Sequence, residues 1–248
     1  MRAWTRSVAG GAVAIAGIAV AVGTGLGGVA VQFAGVAAVA VVVGFGWPHF
    51  LGIPAKKTNG AVISLAGIAS AAATAFVPGP QYLAWTPLAI AVGVMAVVVV
   101  QLIRGTGQSH RLESAFGASA GVLLCGLGAG WIATARLTGA GSMLLVAAIS
   151  TVVALLLGMI RWPDTIIAPA TVVFAGLAAP LAGLVLTDVA VLPATIAGVV
   201  IGAVLAAFRA LNSARPDRVA AAGFVAMGLA PAFAVGAIAY FLDRMLVV

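Results

Sequence analysis

The chain is 248 residues long, 64% hydrophobic and 7% charged, with a formal net charge of +7. Soluble domains carry about 25% charged residues, so this composition excludes a chain that covers itself with a water-facing surface. The basic excess sits in short connections between apolar runs, which reads as the bias of Lys and Arg toward the cytoplasmic side and gives no case for nucleic acid.

Apolar runs recur at roughly the 18 residues needed to cross a bilayer core of about 30 Å. The in–out alternation of a spanning barrel is absent. The expected class is all-α: a polytopic helical membrane protein with about nine transmembrane helices in one transmembrane domain, 1–248.

In chain order, the first span is expected at 7–24. Arg2 and Arg6 ahead of an Ala/Val/Gly run resemble a secretory leader, but so many spans follow that a retained helix is the expectation. The second, 28–46, runs into "GFGWPHFLGIPAKK" at 44–57. A residue before proline is biased out of helical geometry, so Trp47-Pro48 is expected to stop the span. Trp47 then anchors at the headgroup level, ring buried and N–H wet, and Lys56 and Lys57 hold the connection inside. The third and fourth spans fall at 60–77 and 86–103, the latter ending at Arg104. The fifth, 115–135, is glycine-rich and holds Cys125, the chain's only cysteine, so no intramolecular disulfide can form.

The sixth span, 142–160, meets a second anchor at Trp162-Pro163. The seventh, 166–186, contains Pro180; the eighth, 192–208, ends at Arg209; the ninth, 219–241, contains Pro231. With the amino terminus inside, Arg2, Arg6, Lys56, Lys57, Arg104, Arg111, Arg161, Arg209, Arg215 and Arg218 are cytoplasmic, and only Arg136 and Arg244 fall outside. That asymmetry favours nine spans and an external carboxyl terminus. Arg-over-Lys use beside heavy Ala, Val and Gly points to a GC-rich bacterial genome, hence to the bacterial cytoplasmic (inner) membrane.

Landmarks repeat. Trp47-Pro48 is followed after five residues by Pro54, and Trp162-Pro163 after five by Pro169. Pro87 opens the fourth span and Pro193 the eighth; each span closes on an arginine, Arg104 or Arg209. Then come Ser109-His110-Arg111-Leu112-Glu113 and Ser213-Ala214-Arg215-Pro216-Asp217. The pattern predicts a parallel tandem repeat, units 1–108 and 109–212 with a closing helix in 213–248, related by an axis along the membrane normal.

The chemistry of the spans is sparse. Glu113, Asp164, Asp188, Asp217 and Asp243 all fall at predicted span ends or in connections, so no membrane-embedded acid is expected. No His/Cys/Asp/Glu cluster has metal-ligand spacing, and no nucleophile elbow or phosphate-binding loop is present; no metal, no cofactor and no catalytic residue is expected. Prolines inside spans free a carbonyl and kink the helix, and with Thr171 they mark the candidate midplane site: Thr171, Pro180 and Pro231.

Two functions compete. A permease-like protein would move a small or lipidic solute through a pseudo-symmetric bundle. A non-catalytic packing or assembly subunit would serve a larger cell-envelope or respiratory complex. Enzymatic function ranks below both, since catalysis demands ionisable groups. The expected partners are the lipid bilayer, and either other membrane proteins or further copies of the chain.

Overall fold

The computed structural model describes residues 28–79, 81–104, 111–137, 142–160, 162–213 and 220–246. The first predicted span and Arg2, Arg6, Arg161, Arg215, Arg218 and Asp217 lie outside them. The described residues form nine helices and no strand: α1 Val29–Leu51, α2 Lys56–Phe76, α3 Thr86–Ile103, α4 Arg111–Leu127, α5 Gly130–Leu137, α6 Ser142–Gly158, α7 Asp164–Leu186, α8 Val191–Ser213 and α9 Ala221–Leu246.

Seven stretches are long and apolar enough to cross a membrane: α1, α2, α3, the joined α4–α5 stretch Leu112–Leu137, α7, α8 and α9. The eighth apolar helix, Met143–Gly158, is shorter. This is the architecture of a multi-pass membrane protein. Each predicted span from the second to the ninth overlaps one of these stretches. The fifth differs in being broken at Gly128-Ala129, where Ala129 N–H turns back to Gly126 O (3.2 Å) and Trp131 N–H to Gly128 O (3.2 Å).

Helix α9 forms the centre, packed on α1, α4, α5, α6 and α8. Of its most apolar stretch 78% is buried within the bundle, against 22% for α3, which turns its apolar side chains outward. The central position needs small residues. A Cβ on Gly130 would lie 2.2 Å from Ala237 N, so α5 meets α9 backbone to backbone. Trp131 locks this contact, its Nε1 donating to Ala232 O at 3.0 Å. Helices α7 and α8 approach at Gly198 and Gly202, whose added Cβ atoms would meet Ala175 O at 2.3 Å and Thr171 O at 2.9 Å. Close approach of this kind substitutes for a hydrophobic driving force between helices in lipid.

Trp47-Pro48 does not stop its helix. α1 runs through both residues to Leu51 and ends at Gly52, left-handed at φ 71, with its N–H bonded to Pro48 O. Pro48 sits in the final turn, where it leaves the Gly44 carbonyl without its helical N–H donor. The bias against helical Trp47 is outweighed by contacts: Nε1 donates to Gly117 O at 2.9 Å, and its ring tilts against Phe50 at 5.3 Å. The second motif behaves as read from sequence, for Pro163 is the residue before α7 and helix begins at Asp164.

Candidate functional site

The end of α6, the first half of α7, the end of α8 and the first half of α9 border a small, partly open cavity. Thr171, Arg209, Met227 and Pro231 line it, with Leu155, Gly158 and Leu205 among its apolar walls. About 20 Å³ is open to the centre of a water molecule, room for about one water.

Each polar feature has a local cause. Thr171 is buried on the face of α7 that meets α8, and its Oγ1 donates to Ile167 O at 2.8 Å. Pro231 has no N–H to offer the carbonyl one turn earlier, that of Met227, and both residues border the cavity. Arg209 comes from the last turns of α8 and reaches the α6–α7 corner. Its Nε meets Asp164 Oδ1 at 2.8 Å. Nη1 donates to Gly158 O and to Ile160 O (3.2 Å), and Nη2 to Trp162 O (3.2 Å). Asp164 gains further from standing at the start of α7, where the helix dipole favours negative charge. Arg209 therefore closes one end of the cavity while tying three segments together.

Of the three residues expected at midplane, Thr171 and Pro231 meet at the cavity. Pro180 is not among its lining residues; it lies nine residues beyond Thr171 on α7, about 14 Å along the axis. Trp47 is buried at 7% exposure, whereas Trp162 is 61% exposed. Lys56 and Lys57 are exposed at the start of α2, and Arg111 opens α4. Arg104 follows α3 and keeps a buried Nη1 with no hydrogen-bond partner. Lys56, Arg104, Arg111 and Arg209 share one end of the bundle; Arg136 lies at the other, its Nη1 on Thr74 O and Ala75 O and its guanidinium 4.4 Å over Tyr82.

Two features escaped the sequence reading. The Arg209–Asp164 pair had a signal: the repeat alignment sets Asp164 opposite His49 and Arg209 opposite Arg104. The other is Asp243, expected just beyond the ninth span. The helix continues to Leu246, and Asp243 lies inside it at 0% exposure. Asp243 is thus at a helix end, as expected of the acids, but buried against the bundle, because the face formed by Gly236, Ala239 and Tyr240 continues one turn further.

Among the described residues no group of three or more His, Cys, Asp or Glu could hold a metal ion. Compared with protein-family models, curated proteins and solved structures, the chain matches none. What fold and site define is a class, a multi-pass helical membrane protein with a small, partly polar cavity inside its bundle.

Proposed function

We propose that this is a permease-like protein of the bacterial cytoplasmic membrane, and that the α6–α9 cavity belongs to the path of a small or lipidic solute. The supporting observation is the meeting of Thr171 and Pro231 with Arg209 around one cavity. In this reading the amino terminus and Lys56, Lys57, Arg104, Arg111, Arg209, Arg215 and Arg218 are cytoplasmic, and the carboxyl terminus is outside. Cations at the start of α2 oppose that helix's dipole, so Lys56 and Lys57 serve orientation better than helix stability. Trp47 and Trp162 mark the cytoplasmic interface, and 1–108 and 109–212 descend from one duplicated unit.

A cavity with room for about one water admits solute only when the helices part, and Pro231, which removes one backbone hydrogen bond from α9, supplies a place for that movement. The test is cysteine accessibility in membranes, in a Cys125→Ser background. Thr171→Cys and Pro231→Cys should react with a membrane-impermeant maleimide from the Arg209 side. Failure of both to react, with folding intact, would refute a path there.

The small volume also favours the second reading, a packing subunit of a larger membrane complex. Gentle purification from native membrane followed by mass spectrometry separates the two. A stoichiometric set of partners sinks the stand-alone permease; a lone monomer or homo-oligomer sinks the subunit.

A further inference from the structure

Asp243 is the most unusual charge in the bundle. It lies in α9, three residues before the helix ends, fully buried, and among the described residues no group donates a hydrogen bond to either carboxyl oxygen. A buried carboxylate is stable only when paired or neutralised, and an ionisable side chain within a membrane helix marks a functional site by default.

Among the described residues no neighbour supplies the pairing. The helices packed on α9 are α1, α4, α5, α6 and α8, and their titratable side chains are His49, Arg111, Glu113, Cys125, Arg136 and Arg209. Because successive helices alternate in direction, His49, Arg111, Glu113 and Arg209 lie at the opposite end, and Cys125 lies mid-bundle. Among the described residues Arg136 and Asp188 share the end of Asp243: Asp188 is an exposed acid beside Val189, whose cluster packs on Leu242, and Arg136 bonds the carbonyls of Thr74 and Ala75. On α9 itself, Arg244 is exposed and bonds Tyr240 Oη at 3.1 Å. Adjacent helical side chains leave the axis in different directions, and Arg244 makes no hydrogen bond to either carboxyl oxygen of Asp243.

We infer that Asp243 binds a small monovalent cation, a proton or Na⁺, which neutralises its carboxyl within the bundle. The site is at the Arg136 end, separate from the Arg209 cavity, and stands whether or not that cavity carries solute.

The experiment uses the full chain in lipid nanodiscs and dicyclohexylcarbodiimide, which adds to protonated carboxyls in apolar surroundings. Peptide mass spectrometry reads the modified residue. Labelling is expected at Asp243 and not at Glu113, Asp164, Asp188 or Asp217. Loss of labelling as pH rises without Na⁺ assigns the proton. Protection by Na⁺ at fixed pH assigns sodium, as does a Na⁺-dependent rise in wild-type Tm that Asp243→Asn lacks. The inference is overturned if Asp243 labels no more than the other acids and Na⁺ leaves the wild-type Tm unchanged. The labelling arm uses wild-type protein, so it stands even if Asp243→Asn fails to fold.

Discussion

The two Trp-Pro corners begin from the same short motif and end in opposite structures. At the first, Trp47 is buried within a helix that runs on to Gly52, and Pro48 sits inside its last turn. At the second, Trp162 is exposed, Pro163 precedes the helix, and Asp164 opens α7. The residue after proline decides the electrostatics. His49 lies in a helix's last turn, donating from Nδ1 to Phe45 O at 2.9 Å, whereas Asp164 lies in a first turn and holds Arg209. The corresponding Arg104 has a buried Nη1 without a partner. Matching letters thus supply a helix end in one place and a helix start in the other, and only the second builds a charged clasp.

The largest test of this contrast removes the arginines. Arg209→Ala strips the donors from Asp164, Gly158, Ile160 and Trp162, and should cost about 3 kcal/mol, discounted toward 2 for the half-exposed acid. Arg104→Ala should change stability by no more than about 0.5 kcal/mol, because no hydrogen bond to its buried Nη1 is lost. Equal losses in denaturant titrations of the two purified variants would erase the distinction. Smaller, but independent of charge, is the ring comparison. Trp47→Phe should lose about 1 kcal/mol with its bond to Gly117 O, while Trp162→Phe should stay within about 0.5 kcal/mol. The smallest effect carries the sharpest sign. His49→Asp makes the motifs read alike yet places an anion at a helix C-terminus, and should destabilise by about 0.5 kcal/mol. A gain in Tm would mean that Arg104 can reach position 49 after all.

The class and most helices were legible in the sequence because hydropathy and length act directly on whether a helix can span. The break at Gly128-Ala129 was hidden, since Gly-rich spans are common and the cause is a meeting with α9 rather than a local signal. Trp47-Pro48 misled because a pre-proline bias is small beside a buried indole with a hydrogen bond. Two residues that line the cavity carried a signal in the sequence: Pro231 as a proline within a span, and Thr171 as one of few intramembrane hydroxyls. Pro180 carried the same local signal and lies elsewhere, as helix register cannot be read from proline alone. Asp243 was placed outside the helix because a polar residue was taken as a span boundary, and only packing shows that the buried face of α9 reaches as far as Asp243.

One consequence follows from the length of α6. Its 17 residues rise about 25 Å, short of a hydrocarbon core of about 30 Å. Backbone leaving a helix at that depth must find donors within the protein, and Gly158 and Ile160 find theirs in Arg209. The guanidinium therefore supplies from within the protein the donors that these carbonyls need where the helix stops. Against a core of that thickness α6 alone falls short by about 5 Å, a hydrophobic mismatch that the Arg209 corner is placed to offset. Thicker bilayers should load that corner first, making lipid chain length a variable that strains the Arg209 clasp while leaving the rest of the bundle at ease.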